Sequence, residues 1–357
     1  MKALRIYAGP AAREHIRQNG LQPQDVRTIP GAAGGPKGLI LGPIDRFLFG
    51  EWLPRSTQPV DLVGASIGAW RLATACLDNP VDAFQHFEHN YVRQKFEVPE
   101  GQKRLTARQV SQSFAENLHS VFGARVGEVL KHPRYRLHVV TSRGRHILGR
   151  EGRARTPFGY LGAFATNSVR RKSLGHWLER CVFSTPGAAL PFDTLDFPTR
   201  QFALTEANFN LSLQASCSIP FLLEAVHDIP GAPRGAYWDG GITDYHLHLD
   251  YRPRDDGLVL YPHFQQAVVP GWLDKGLRWR HRATGFLDRM VVLAPDPEWV
   301  RTLPNGKLPD RKDFTGFAKD ADARIAAWDR ATREAQRLAD ELAERLAGDD
   351  VGTVLPL

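Results

Sequence analysis

Ser66 stands in the pattern Gly-x-Ser-x-Gly at residues 64–68, directly after the apolar run 60–63. A strand, a sharp turn and a helix in this order form a nucleophile elbow, in which the turn lifts the serine hydroxyl clear of the backbone. Gly64 and Gly68 suit such a turn, because side chains at these positions would collide where the strand and the helix pass each other. The pattern therefore predicts that Ser66 is a nucleophile that accepts an acyl group.

An acyl-accepting serine needs hydrogen-bond donors for the oxyanion that forms during the reaction. The loop 33–38 reads Ala-Gly-Gly-Pro-Lys-Gly, and Gly34 and Gly35 allow backbone N–H groups to converge on one anion. A phosphate-binding P-loop would need Ser or Thr after Gly-Lys, whereas Gly38 follows Lys37 here. A purely structural turn is the remaining alternative.

The serine also needs a base, and Asp239 is the candidate. It stands in Tyr-Trp-Asp-Gly-Gly at 237–241, with two aromatic residues before it and two glycines after it. A carboxylate in this setting can lie at a strand end, held by the turn and partly desolvated. Burial would raise its pKa toward the range that is useful for proton transfer. An aspartate that serves only an Asp-Gly turn is the alternative.

In this chain order the glycine loop, Gly-x-Ser-x-Gly and Asp-Gly-Gly together resemble the patatin-like phospholipase family. Residues 215–220, Ala-Ser-Cys-Ser-Ile-Pro, are similar to that family's Ala-Ser-x-x-Ile-Pro block, and the resemblance runs from about Ile29 to Gly241. It implies an α/β fold with a layered sheet flanked by helices. It also implies a Ser–Asp dyad without a catalytic histidine, with Ser66 as the nucleophile and Asp239 as its base.

The same resemblance implies an oxyanion hole made by four neighbouring residues of the glycine loop: Gly34, Gly35, Lys37 and Gly38. The chain departs from the family pattern within this loop. Ala33 replaces the first of three glycines, and Lys37 replaces an arginine, so the charge is kept while bidentate pairing is lost. Pro36 has no N–H to donate. The implied activity is hydrolysis of a fatty-acyl ester, of the phospholipase A or lysophospholipase type, without a cofactor.

Two other functions are compatible with the residues. An ordinary α/β-hydrolase also uses Gly-x-Ser-x-Gly, and His246, His248 or His263 could complete a triad after Asp239. That fold builds several strands before its elbow, and the short segment before Ser66 favours the dyad. The departures in the oxyanion loop leave open a protein that binds a lipid or polymer surface on a weakly active hydrolase fold.

The pattern His246-x-His248-x-Asp250 raises the question of a metal site. Alternate residues of a strand share a face and could share a cation. One strand supplies too few ligands for a typical site, so we predict no metal.

Composition and charge exclude several classes of protein. The chain is 42% hydrophobic and 24% charged, as soluble globular proteins are. No run approaches the roughly 20 apolar residues of a membrane span, and the first ten residues lack the apolar core of a signal peptide. Three cysteines, an odd number without metal-ligand spacing, argue against a disulfide framework. We expect a cytoplasmic protein.

The net charge of +7 predicts an anionic partner. We expect no nucleic-acid partner, because no zinc-finger, RNA-recognition or helix-turn-helix pattern is present. Two stretches, 158–178 and 272–282, contain both aromatic and basic residues. Such mixtures suit the headgroups of an anionic membrane, so peripheral membrane contact is expected. An aromatic core face with a solvated basic face is the alternative.

The predicted elements alternate between strand and helix in the first half of the chain, which favours an α/β fold. Apolar or alternating runs predict strands at 60–63, 135–141, 202–204, 257–261 and 290–294. Helices are predicted at 39–48, at 67–77 and, from an apolar stripe with steps of three and four, as one long helix at 325–346.

We predict an acyl hydrolase domain over residues 1–300, with a cap-like insertion around 85–190. A mostly helical C-terminal extension, 301–357, is expected to pack on that domain.

Overall fold

A mixed sheet flanked by helices forms the centre of the protein. We describe it from a computed structural model that covers residues 1–95, 105–252, 254–318, 320–348 and 351–357. The strands are β1 (Leu4–Ala8), β2 (Val26–Gly31), β3 (Val60–Ala65), β4 (Tyr135–Gly144), β5 (Leu178–Ser184), β6 (Thr199–Ala203), β7 (Val226–His227), β8 (Ala236–Asp239), β9 (Leu258–Pro262), β10 (Met290–Pro295) and β11 (Val354–Pro356). The α-helices are α1 (Pro10–Asn19), α2 (Gly42–Phe47), α3 (Ile67–Thr74), α4 (Pro80–Arg93), α5 (Ala107–Phe122), α6 (Val126–Leu130), α7 (Arg155–Val169), α8 (Phe209–Cys217), α9 (Gly241–Asp244), α10 (Pro297–Val300), α11 (Lys312–Gly316), α12 (Ala321–Glu334) and α13 (Gln336–Ala347).

The order along the sheet is β11-β1-β10-β9-β2-β3-β4-β5-β6. Its centre, from β10 to β4, is parallel, so the carboxyl ends of these strands meet at one edge. Every residue of β3, β9 and β10 is buried, as expected for parallel strands that helices cover on both faces. The prediction of an α/β fold with a helix-flanked sheet is therefore confirmed.

β4 brings the chain segments around Ser66 and Asp239 together. One edge of β4 pairs with β5 along 138–144. The opposite edge is shared, because β3 pairs in parallel along 135–140 and β8 pairs antiparallel along 141–143. β3 and β8 therefore run toward each other. Their carboxyl ends meet where Ala65 of β3 pairs with Val140 and Asp239 of β8 pairs with Thr141.

The predicted strands at 60–63, 135–141, 257–261 and 290–294 are confirmed by β3, β4, β9 and β10, and the run 202–204 coincides with the end of β6. The helix after Ser66 ends at Thr74, three residues earlier than predicted. Helical structure also begins before Leu39, as a 3₁₀ segment over Gly35–Leu41 that continues into α2.

The prediction of one long helix at 325–346 is wrong, because the chain turns at Ala335 between α12 and α13. The two halves of the apolar stripe pack against different partners. Trp328 of α12 joins a small cluster with Leu39 and Val92, whereas Leu338 of α13 belongs to the main hydrophobic core.

The C-terminal segment contributes more than helices. β11 adds a parallel strand to β1, and Glu341 of α13 accepts hydrogen bonds from the backbone N–H groups of Ala3 and Leu4, at 2.7 and 2.9 Å. The boundary at residue 300 and the cap-like insertion at 85–190 stay predictions, and residues 96–104 of that insertion lie outside the described residues. No helix within the described ranges is both long and apolar enough to cross a bilayer.

A buried ion pair connects the helix that follows Ser66 to α2. Arg71 of α3 donates from Nε and Nη2 to the two carboxylate oxygens of Asp45, at 2.8 and 2.7 Å. Both side chains are almost completely inaccessible to solvent. Neither charge can be solvated alone, so each depends on the other for its burial.

We expect Asp45→Ala to lower the free energy of unfolding by about 3–5 kcal/mol, because it leaves the Arg71 guanidinium buried without a counter-charge. Urea denaturation followed by circular dichroism measures the change. Glu14→Ala is the matched control, since Glu14 pairs with Arg17 on the exposed face of α1 and its loss should leave the midpoint unchanged. Equal midpoints for the two variants would contradict the prediction.

Candidate active site

Ser66 and Asp239 are in direct contact. Ser66 Oγ donates a hydrogen bond of 2.8 Å to Asp239 Oδ2, and the two residues are 3% and 4% exposed. Ser66 has φ 56° and ψ −130°, a conformation that is strained for a residue with a side chain. This strained turn between β3 and α3 is the geometry predicted for a nucleophile elbow.

The glycines on either side of Ser66 allow the backbone to pass closely. A Cβ atom on Gly68 would lie 1.9 Å from the carbonyl oxygen of Gly31 in β2, and one on Gly64 would lie 2.3 Å from Cα of Ala69. Both distances are far below van der Waals contact. The two positions therefore require glycine for the reason that the sequence pattern suggested.

Ser216 of α8 fixes the turn from the other side. Its Oγ accepts the N–H of Ser66 at 2.9 Å and donates to the carbonyl of Val140 in β4 at 2.7 Å. Its own carbonyl accepts the N–H of Gly240, the residue after Asp239, at 3.2 Å, so Ser216 bonds to both chain segments of the site. Sequence reasoning identified the 215–220 block but no role for Ser216, because nothing in its spacing shows which hydroxyl faces the elbow.

Asp239 is held by a set of backbone and side-chain bonds. Its Oδ1 accepts the N–H of Gly241 at 2.7 Å, and its carbonyl accepts Ser142 Oγ at 2.9 Å. Complete burial raises the pKa of the Asp239 carboxyl above its ordinary value, while the nearby Arg311 charge and the bonds from Ser66 and Gly241 act in the opposite direction. The group is thus a buried carboxylate with a raised proton affinity, as a general base requires.

The four residues of the predicted oxyanion loop have different surroundings. Gly35, with φ +58°, lines the cavity that contains Ser66, whereas Gly34 packs against the Phe264 ring. Lys37 Nζ lies 5.4 Å from the centroid of that ring, and burial lowers the pKa of this ammonium. Gly38 lies against Ile67 and the Arg71 side chain. Of the four, Gly35 alone is in the described lining of the cavity; their role as oxyanion donors stays a prediction.

An apolar cavity of about 440 Å³ opens above Ser66. Hydrophobic and aromatic side chains dominate its lining, which comprises Gly35, Ser66, Ile67, Trp70, Tyr91, Gln94, Leu105, Val110, Phe114, Cys217, Ile219, Leu222, Leu223, Arg311, Phe314 and Thr315. A larger surface cleft of about 960 Å³ lies between α1 and the C-terminal end, and its described lining holds none of the predicted site residues. Of these two cavities, the smaller one contains the predicted nucleophile.

The three histidines of the alternative triad bond elsewhere. Nδ1 of His246, His248 and His263 pairs with the carbonyls of residues 267, 268 and 265 at 3.1, 2.8 and 2.5 Å. Burial lowers the pKa of His246 far below its ordinary value and that of His263 to about 3. Within the described part of the chain, none of them forms a hydrogen bond with Ser66 or Asp239.

The residues of the histidine pattern do not converge on a common point. His248 uses both ring nitrogens, on the carbonyl of Val268 and on Thr284 Oγ1 at 2.8 Å, while Asp250 pairs with Arg252 at 3.0 Å. Among the described residues, no group of three or more His, Cys, Asp or Glu side chains is arranged to hold a metal ion.

The two aromatic and basic stretches pack against each other. Asn167 and Arg171, from the first stretch, and Arg280, from the second, all donate to the buried carboxylate of Asp274 at 2.7–2.8 Å. Two of the basic residues, Arg171 and Arg280, therefore have a structural role. Other side chains of these stretches point outward: Phe158, Leu161 and Phe164 on α7 and Trp279 are 46–67% exposed.

Comparisons with known proteins leave this site as the main guide to function. No protein-family model matches the chain, and no curated protein matches it by sequence. Among solved structures it is similar to VipD from Legionella pneumophila, with 13% identity and a TM-score of 0.34 over 88% of this chain and 67% of VipD. A likeness at that TM-score carries no argument about fold or activity.

We expect Gly68→Ala to lower the free energy of unfolding by about 1–3 kcal/mol or more, because the added methyl group forces β2 and α3 apart. The shift of the Ser66 turn should also slow labelling of Ser66 by a fluorophosphonate probe. Thermal unfolding and the labelling rate measure the two effects.

Gly127→Ala is the matched control, since a Cβ on Gly127 meets nothing within 4 Å. This variant should keep the wild-type labelling rate and have an unfolding midpoint equal to or slightly above that of the wild type, because alanine favours a helix more than glycine does. A Gly68→Ala protein as stable and as reactive as the control would contradict the close approach.

Proposed function

We propose that this chain is a patatin-like serine acyl hydrolase that cleaves fatty-acyl esters, with phospholipids as the substrate class. The observation that carries the proposal is the 2.8 Å hydrogen bond from Ser66 Oγ to Asp239 Oδ2 beneath an apolar cavity. A strained serine, a buried carboxylate and an apolar cavity are the parts that acyl transfer from a lipid ester requires.

In the acylation step, Ser66 Oγ attacks the ester carbonyl carbon while its proton passes to Asp239 Oδ2. The carbonyl oxygen becomes an oxyanion, for which we propose the backbone N–H groups of Gly35 and of Ile67, the residue after the nucleophile, as donors, since both residues line the cavity. Collapse of the tetrahedral intermediate breaks the bond to the alcohol, which takes the proton from Asp239. Ser66 is left as an acyl ester.

In the deacylation step, a water molecule replaces the alcohol. Asp239 accepts a proton from this water as its oxygen attacks the acyl carbon, and the same backbone donors stabilise the second oxyanion. The proton then returns to Ser66 Oγ as the fatty acid departs. Asp239 begins and ends the cycle as a carboxylate, so no cofactor and no histidine are needed.

The cavity and its charges favour a lipid ester over a small polar one. Trp70, Phe114 and Ile219 offer an apolar wall of the kind that accepts an acyl chain. Arg311 lies on the same cavity, which favours an ester with an anionic headgroup nearby. Together these features support phospholipids as substrates.

The surface beside the cavity supports contact with an anionic membrane. Leu222 lies both on the cavity lining and among the exposed apolar side chains, and Phe221 next to it contacts Tyr160 of α7 at 6.0 Å between ring centroids. The helix α7, which carries exposed apolar side chains, is thus close to the cavity. Rings and cations on one face suit the headgroup region of a bilayer.

We expect Ser66→Ala and Asp239→Asn each to lower turnover of lipid esters by at least about 10³-fold, because the dyad acts as a unit. A panel of phospholipid, lysophospholipid and neutral-lipid esters measures this for both variants beside the wild type. Fluorophosphonate labelling should occur in the wild type and be absent from Ser66→Ala. A wild type that binds lipid vesicles but is not labelled would indicate a lipid-binding protein instead.

Variants of His248 and His263 distinguish a Ser–Asp dyad from a Ser-Asp-His triad. His248→Ala and His263→Ala should retain most of the wild-type turnover, since neither side chain bonds to Ser66 or Asp239 in the described structure. Loss of turnover in either folded variant, with midpoints of unfolding unchanged, would favour the triad.

Binding to anionic vesicles should weaken several-fold when Arg278 and Arg282 are both changed to Glu, because these exposed cations then repel the headgroups. Arg280 is left in place, since it bonds to Asp274 and to the carbonyl of Ser168. Co-sedimentation with vesicles that contain phosphatidylglycerol measures the change.

Arg13→Glu with Lys131→Glu is the control, an equal reversal at two exposed positions on α1 and next to α6. It should bind nearly as well as the wild type. If both double variants weaken vesicle binding equally, net charge rather than the position of Arg278 and Arg282 causes the attraction to the membrane.

A further inference from the structure

Arg311 is a charged residue of the cavity for which sequence reasoning gave no role. It directly precedes α11, in the segment that was predicted as a C-terminal extension. Its side chain lines the cavity with Ser66 and Gly35, and it also lines a small adjoining recess with Asp239 and Gly241. The guanidinium is therefore situated between the glycine loop and the Ser–Asp pair.

The packing of Arg311 against the glycine loop is close. A Cβ atom built on Gly35 would lie 3.0 Å from Arg311 Nε and 3.6 Å from Nη2. The absence of a side chain at Gly35 is what leaves room for the guanidinium. The glycine loop and the C-terminal segment, far apart in sequence, thus form one wall of the site.

Arg311 has no acidic partner of its own among the described residues. The carboxylates nearest to it in sequence, Asp310 and Asp313, are both bound by Lys307 Nζ, at 3.0 and 2.6 Å. Within the described ranges the Arg311 side chain forms neither an ion pair nor a hydrogen bond. Its charge is available to the site.

The group that most needs a positive charge is Asp239. A carboxylate that is cut off from solvent is protonated unless nearby charges and hydrogen bonds favour its ionised form. Arg311 is the largest of the influences that lower the pKa of Asp239, ahead of the bonds from Ser66 and Gly241 and ahead of the charge of Lys275. The other titratable groups that interact with Asp239 are neutral near pH 7: Tyr160, Tyr245 and Cys217.

We propose that Arg311 is a positioning residue of the Ser66–Asp239 pair, whose guanidinium keeps Asp239 in the carboxylate form that accepts the serine proton. The loop cation, Lys37, lies over the Phe264 ring instead. Segment 301–357 is then part of the active site rather than only a packed extension. The proposal rests on the proposed acyl hydrolase function.

The acid limb of the pH profile tests this role. The base must be ionised, so activity is present above the pKa of Asp239 and is lost as the pH falls through it. Removal of the Arg311 charge raises that pKa further, so the limb in Arg311→Gln should move to higher pH by about one pH unit. The measurement is kcat/KM for p-nitrophenyl octanoate across the pH range, with unfolding midpoints for every variant.

Two variants control for structure and for net charge. Arg311→Lys keeps a cation and should retain an acid limb near that of the wild type. Lys312→Gln removes an equal charge from the next, exposed residue and should leave the limb unchanged. An acid limb in Arg311→Gln at the wild-type pH, even with lower activity at every pH, would overturn the proposal, because a merely structural role lowers activity without moving the limb.

A direct titration separates this proposal from the proposed function. The ¹³C signal of the Asp239 carboxyl, assigned by its absence from Asp239→Asn, reports the pKa of Asp239 without any turnover. A raised pKa in Arg311→Gln supports the electrostatic role even if the wild type hydrolyses no ester, and an unchanged pKa overturns it. Absence of Ser66-dependent turnover would instead count against the proposed function alone.

Discussion

The site depends on a single edge of β4. β5 occupies one edge, so β3 and β8 must share the other, and they approach each other from opposite ends. Ser66 directly follows β3, and Asp239 is the last residue of β8. The two residues meet because both strands end at the same point along β4. The close passage of backbone at Gly68 and the contacts of Ser216 with both segments depend on this junction.

Burial of a carboxylate at this junction sets the second constraint. Asp239 is almost completely buried at this junction, which opposes its ionisation. The protein offsets this with a backbone N–H from Gly241, the hydroxyl of Ser66 and the charge of Arg311. These three groups favour the ionised form of Asp239, which the proposed function requires of its base. Most of the described cavity wall above it is apolar, which suits an acyl chain.

The sequence patterns predicted the local features well. Strand-like runs located β3, β4, β9 and β10, and Gly-x-Ser-x-Gly located the turn, because such patterns reflect interactions between residues close in sequence. The single helix at 325–346 was wrong: the chain turns at Ala335, where no Gly or Pro signals a break, and the two halves of the stripe join different clusters. Ser216 lies in a block that the sequence singled out, but no local signal indicated its contacts, and Arg311 had no local signal at all.

What the sequence determined by itself was the chemical identity of the pair, Ser66 and Asp239, and the glycines that a strained turn demands. Only the tertiary structure decided which groups surround that pair. Strand order on β4 brings two segments 173 residues apart to 2.8 Å, and α11 brings Arg311 to a loop near the start of the chain. Such contacts arise from packing across the whole sheet, and no short stretch of sequence encodes them.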